Sequence, residues 1–135
     1  MKILYKSGYK YQLCRDYTEQ TRIRPEFPVT TEWIALDTTG NLVVKDGYAW
    51  NGASGPTIDT KSSMRPSLVH DAKCQLMQLG LLDWKWLPTA NEEFYHACLE
   101  DGMISGRAYL WYLGLKIFSD RYVKGEGPDQ ILEAP

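Results

Sequence analysis

The sequence is short of histidine and cysteine, carries no excess of positive charge and contains no long apolar run. Only two histidines stand in 135 residues, so any imidazole chemistry must use His70 or His96. The three cysteines, Cys14, Cys74 and Cys98, are odd in number, widely spaced and never in a CxxC pair. That argues against a disulfide framework and against a structural zinc site. A formal net charge of -2 supplies no global basic field, so nucleic acid is not an expected partner. No apolar run reaches the ~18 residues that a membrane span needs, and an integral membrane protein is not expected. MKILYKSGYK, at the start, lacks an apolar signal core, which predicts synthesis and folding in the cytoplasm. There is no internal repeat and no low-complexity tract.

What is present is enough for one domain with a real core. Hydrophobic residues make up 44% and charged residues 24%. Five tryptophans and nine tyrosines are first of all core material in a chain of this size. A single α+β domain is expected over residues 1–122, followed by a tail at 123–135 that is flexible or docked on a partner.

The first half is patterned for strands. YKYQLCRDYTEQ sets Tyr9, Tyr11 and Leu13 against Lys10 and Gln12, the alternation of a half-buried strand. RIRPEFPVTT, with two prolines, predicts a loop or an edge segment. TEWIALDTTGNLVVKDGYAW predicts an antiparallel hairpin around an Asp-Thr-Thr-Gly-Asn turn. NGASGPTIDTKSSMRP, rich in Gly, Ser, Thr and Pro, is a loop with special backbone demands.

The second half is patterned for helices. Pro66 suits a first helical position, and that helix should run to about Leu79, with Gly80 ending it. A second helix should start at Thr89, where Thr89 and Glu92 fit the capping box, and run to about Asp101. The third, ISGRAYLWYLGLKIFSDRY, is apolar around most of its circumference, which predicts burial on two sides. The short connection GLLDWKWLP favours an antiparallel pair of the first two helices, with its tryptophans at the junction.

At 100° per residue, Leu68, Val69, Ala72, Leu76 and Leu79 share one face of the first helix. His70, Cys74 and Met77 lie nearly opposite, with Asp71 beside them. On the second helix Asn91, Phe94, Tyr95, Cys98 and Leu99 gather on one side, and Glu92, Glu93, His96 and Glu100 towards the other. An antiparallel pair can then turn Asn91 towards His70 and leave His96 in solvent. A zinc site from His70, Cys74 and His96 is disfavoured on that geometry, and no fourth ligand is evident.

The loop before the first helix offers different chemistry. Closely spaced glycines let backbone carbonyls converge. Carbonyls from residues 48–55, together with the Asp71 carboxylate, are the oxygen donors that Ca²⁺ prefers. His70 could then act as general base on a water, with Asn91 fixing the imidazole. The competing interpretation is a hydrogen-bonded His70–Asp71 pair that satisfies the loop.

The segments GYAWNGASGPTIDT, MRPSLVHDAKCQ, ANEEF and EDGM, in that order, resemble the phage- and prophage-encoded family called domain of unknown function 1353. The resemblance covers about half the chain and implies a phage origin. More distantly, a Gly-rich loop, then His-Asp on a helix, then a second acidic position about twenty residues on, resembles the phospholipase A2 pattern. That resemblance implies Ca²⁺ bound by Asp71 and by carbonyls around Trp50, Gly52 and Gly55, with His70 as base and Asn91 as its orienter. Asn51, Ser54 and Cys74 complete the candidate set. Three positions depart from these patterns: Asn51 replaces Asp, Cys74 replaces Tyr, and Asn91 replaces Asp. Asn91 can accept a hydrogen bond but cannot stabilise an imidazolium by charge. The departures favour a virion- or tail-associated structural or interaction protein, made in the host cytoplasm, whose partners are other virion proteins or itself. The alternative is a Ca²⁺-dependent, phospholipase A2-like hydrolase acting on envelope phospholipid; a cell-wall hydrolase is a third idea.

Overall fold

The computed structural model describes Ile3, Tyr5–Lys6, residues 11–50 and residues 61–123, with Tyr5–Lys6 and residues 118–123 described by backbone alone. Strands precede helices, so the fold is α+β, as the sequence order predicts. Candidate residues Asn51, Gly52, Ser54 and Gly55 lie outside the described residues, as does the tail beyond residue 123.

Among the described residues, seven short strands form two antiparallel sheets. β1 (Tyr5–Lys6), β2 (Tyr11–Leu13) and β7 (Ala49–Trp50) make one, in the order β1-β2-β7. β3 (Tyr17–Gln20), β4 (Val29–Thr30), β5 (Ile34–Leu36) and β6 (Asn41–Val44) make the other, in the order β3-β6-β5-β4. The long alternating stretch is thus two strands in different sheets, not one. Residues 14–16 bend the chain between them, and the Asp16 carboxylate accepts from the Asp46 N–H at 2.8 Å. The prolines of RIRPEFPVTT hold that segment off the ladder except at β4, an edge strand. The β5–β6 turn forms as expected. Asp37 Oδ1 accepts from the N–H groups of Thr39 and Asn41, both at 2.9 Å. Gly40, at φ +88°, takes the left-handed position.

The register puts Ile34 opposite Val44 and Leu36 opposite Leu42, and these four are fully buried. By the same period Tyr17 and Glu19 share the inner side of β3, so a carboxylate is aimed at the helices.

α1 (Lys61–Gln78) lies over both sheets. Its Met64, Leu68, Val69, Ala72, Leu76 and Met77 join Leu13, Tyr48 and Trp50 in the main core. The helix begins five residues before Pro66. A proline this close to the start forgoes only a bond to a first-turn carbonyl, and burial of Ser63, Met64 and Arg65 draws the earlier turn into the helix. Leu79 lies beyond the last turn and is exposed, and Gly80, at φ +77°, ends the helix.

α2 (Leu87–Glu100) also starts earlier than Thr89. A 3₁₀ turn at Trp84–Trp86 leads into it, and Asp83 caps that turn by accepting from the Lys85 N–H at 2.7 Å. Thr89 is therefore inside the helix rather than its cap. Trp84 and Trp86 are half-buried against the core. α3 (Ser105–Val123) packs on α2 through Ala108, Trp111 and Leu115, which with Phe94, Cys98 and Met103 form a second apolar cluster. The expected two-sided burial of α3 does not occur among the described residues, since Tyr109, Leu110 and Ile117 are exposed. No other described element covers that side.

Candidate functional site

α1 and α2 are antiparallel: Arg65 near the start of α1 meets Asp101 at the end of α2, and Lys73 meets Glu93. This pairing sets His70 opposite Asn91. The imidazole Nε2 lies 2.7 Å from Asn91 Oδ1, and the ring meets Phe94 edge-on with centres 5.5 Å apart. With the amide oxygen turned to the ring, Nε2–H donates and Nδ1 keeps the lone pair. His70 retains some exposure, but its ring is crowded between the helices. Burial pushes its pKa down to about 4; the bond to Asn91 opposes this, and the nearby Lys73 cation adds to it. The imidazole is neutral at pH 7 and a weak base.

Cys74, one turn along α1, places Sγ 3.7 Å from His70 Nδ1 and 3.8 Å from Nε2. A thiol in line with the Nδ1 lone pair would be much farther from Nε2. The near-equal distances put the sulfur off that axis, so the imidazole does not activate it. Burial, with the Asp71 carboxylate adding to it, pushes the Cys74 thiol up to about 12. The thiol is protonated at neutral pH.

Asp71 points elsewhere. Its Oδ2 accepts from the hydroxyl of Tyr48 at 2.8 Å, and the same hydroxyl lies 3.1 Å from Gln75 Oε1. Tyr48 is completely buried, so this bond fastens α1 to the strand region. Trp50 is likewise core: its indole N–H donates to Ser67 Oγ at 3.0 Å, and Ser67 in turn donates to the Met64 carbonyl at 3.0 Å. His96 is exposed on α2, in ring contact with Tyr95, and takes no part in the His70 cluster. Among the described residues no three His, Cys, Asp or Glu side chains gather as a metal site. Of the calcium set, Asp71 and Trp50 are described, and Gly52 and Gly55 are not.

Beside His70 lies a buried charge network that the sequence pattern did not suggest. Lys73 is 1% exposed, with its ammonium 2.7 Å from Glu93 and 3.7 Å from Glu19. Arg65 is also buried: it forks onto Asp101 through Nε and a terminal nitrogen, both at 2.9 Å, and reaches Glu100, Glu19 and the Tyr17 hydroxyl. Burial works against the Arg65 charge, but the bonds to Asp101, Tyr17 and Glu100 outweigh it and hold its pKa above the ordinary value. Burial, and then Glu19, push the Tyr17 phenol up to about 12. For Glu93 burial opposes ionisation, yet the Lys73 ammonium and the bonds from Lys73, Thr21 and the Arg22 N–H hold its carboxyl below the usual range.

Glu93 therefore does not belong to a solvated charged face, where its helical phase would set it. One signal was available: Arg65 has the helical phase of Leu68, Val69, Ala72 and Leu76, so a cation stands inside the apolar stripe. Chemically, the arrangement fixes one sheet to two helices and keeps a neutral imidazole beside a neutral thiol. No family model matches the chain, and neither a curated protein nor a solved structure matches it.

Proposed function

We propose that this chain is a phage-encoded, virion- or tail-associated structural or interaction protein in which His70 and Asp71 act as architecture. The observation that carries this reading is that the two adjacent side chains are spent on two different internal bonds. His70 ties α1 to α2 through Asn91 at 2.7 Å, and Asp71 ties α1 to the buried Tyr48 at 2.8 Å. A general base of a hydrolase would hold a lone pair towards a water and have its developing charge offset. Here Cys74 crowds the imidazole, Asn91 brings no charge, and Lys73 opposes protonation. The phage setting rests on the ordered motifs GYAWNGASGPTIDT, MRPSLVHDAKCQ and EDGM.

One observation favours the second reading, a Ca²⁺-dependent phospholipase A2-like hydrolase. Asn91 engages Nε2, which leaves Nδ1 as the basic nitrogen. Any calcium in that reading would need the Asp71 carboxylate, which already accepts from Tyr48.

His70→Ala separates the two. The architectural reading expects a loss of about 1–3 kcal/mol, because the buried Asn91 side chain loses its imidazole partner. It also expects no Ca²⁺-dependent hydrolysis of phospholipid vesicles by the wild type. Turnover by the wild type, abolished in a His70→Ala variant of unchanged stability, would overturn it. Calorimetric titration with Ca²⁺ of wild type and Asp71→Asn provides the parallel check: binding lost in the variant would support the hydrolase.

A further inference from the structure

The interaction reading leaves the surface and the partner unnamed; the inference here rests on that reading and names both. α3 presents two apolar rows. Ala108, Trp111 and Leu115 face α2. On the opposite side Gly106, Leu110, Leu113 and Ile117 fall in line at spacings of four, three and four residues. Leu110 is 67% exposed and Ile117 64%, while Tyr109, beside the row, is 50% exposed. Apolar residues alternating at three and four are what one helix offers another along a coiled-coil seam.

The glycines add an independent observation. A Cβ at Gly106 or Gly114 would meet nothing within 4 Å, and neither glycine has a positive φ. Nothing inside the described fold needs glycine at either position. Glycine weakens a helix relative to alanine, so its presence twice on the open side of α3 costs stability without internal return. Close approach of a second backbone gives it a use.

The sign of charge selects the occupant. Along α3 the sequence carries Arg107, Lys116 and Arg121 against one acidic residue, Asp120, although the whole chain is net negative. By helical phase Arg107 and Lys116 flank the apolar row on opposite sides. Arg107 is held at that edge with its guanidinium 5.4 Å from the centre of the Trp111 ring. A second copy of α3 would set two helices of the same net positive charge against each other. A lipid surface would meet a helix of net charge only +2 and no tryptophan on this side, since Trp111 is turned inward. We propose that the open side of α3 docks an amphipathic helix of a partner protein. That helix sets an apolar seam on Leu110, Leu113 and Ile117 and carboxylates opposite Arg107 and Lys116.

The test uses the full chain and two synthetic helical peptides with the same leucine seam, one with glutamates and one with lysines at the flanking positions. Fluorescence anisotropy should show the glutamate peptide binding at least about tenfold more tightly, with the advantage shrinking as salt rises. Leu110→Asp and Ile117→Asp should each abolish binding without altering circular dichroism. Gly106→Ala should raise the melting temperature yet weaken binding. Equal affinity for both peptides, or none, would overturn the proposal. So would a dimer in sedimentation velocity that Leu110→Asp dissolves, which would make a second copy the occupant. Flotation with anionic phospholipid vesicles that Leu110→Asp prevents would overturn it in favour of lipid. The peptide readout involves no turnover. A silent α3 in a chain without hydrolytic activity sinks only this assignment, whereas hydrolysis lost in His70→Ala sinks the architectural reading whatever α3 binds.

Discussion

Glu93→Gln should cost this domain about 3 kcal/mol, the low end of the range for breaking a buried pair, and Lys73→Met much less. The two changes remove the same ion pair, so the difference comes from what each leaves behind. At 2.7 Å and an effective dielectric of about 20, the Lys73–Glu93 attraction is roughly 6 kcal/mol gross. Glu19, at 3.7 Å, supplies roughly 4 kcal/mol on the same scale but also serves Arg65. Desolvation of the two charges offsets most of these sums. With Glu93 neutral, an ammonium that is 1% exposed keeps only the shared carboxylate of Glu19. With Lys73 replaced by methionine, Glu93 is 17% exposed and still accepts from the Thr21 hydroxyl and the Arg22 N–H. Methionine also fits the space left by the lysine stem, so that loss should stay within about 1 kcal/mol. The double variant should lie near Lys73→Met, because the stranded cation is gone. Urea unfolding followed by tryptophan fluorescence measures all four proteins; guanidinium is avoided because it screens charge. A Glu93→Gln loss below about 1 kcal/mol, or a Lys73→Met loss equal to it, would refute the stranded-cation account.

Four further expectations concern acid pH at His70 and at Glu93, the α2–α3 cluster and the β5–β6 turn. Because the folded protein holds His70 near pKa 4 against an ordinary 6.5, the unfolded chain takes up a proton first as pH falls. Stability from this group is full above pH 6.5 and lost down to about pH 4, on the order of 3 kcal/mol in all. His70→Gln should flatten that part of a stability–pH curve, and an unchanged slope would contradict the buried neutral imidazole. From the low end of that window downwards, the lowered Glu93 carboxyl contributes stability that is full above its ordinary pKa of 4.5 and lost as pH falls through its folded value. Trp111→Phe keeps the stack on Phe94, with ring centres 5.9 Å apart, and removes a buried indole N–H that has no hydrogen-bond partner among the described residues. Thermal melts should show a loss below about 1 kcal/mol, since removing the unsatisfied donor offsets the lost area. Gly40→Ala should cost about 2 kcal/mol or more by urea unfolding, because φ is positive and the new Cβ would stand 2.3 Å from the Thr21 carbonyl oxygen. A neutral outcome there would show that the β5–β6 turn relaxes freely.

Much of the architecture was legible because its signals are local. The period of two in IAL and NLVV, the Asp37–Gly40 turn and the glycines after α1 and α2 each act through neighbouring residues. Proximity of His70 and Asn91 followed from helical phase and a short connection, both local properties as well. The errors arose where distant contacts overrode local rules. Pro66 suggested a helix start, but buried contacts carry the helix back to Lys61. YKYQLCRDYTEQ suggested one half-buried strand, yet the chain bends at Cys14 so that β2 and β3 join different sheets. The apolar circumference of α3 suggested two buried sides, and only one meets α2.

By itself, then, the sequence determined the α+β order, the antiparallel helix pair and the adjacency of an imidazole to an amide, because hydrophobic period and turn chemistry are written within a few residues. Only the tertiary structure decided what the charges do. Glu19 on a strand, Arg65 and Lys73 on one helix, and Glu93 and Asp101 on the next are far apart in the chain, and all but Arg65 look like surface charges in their own segments. Their burial is tolerable only when all of them meet, and a charge taken out of water acquires its partners through packing rather than through its neighbours in sequence.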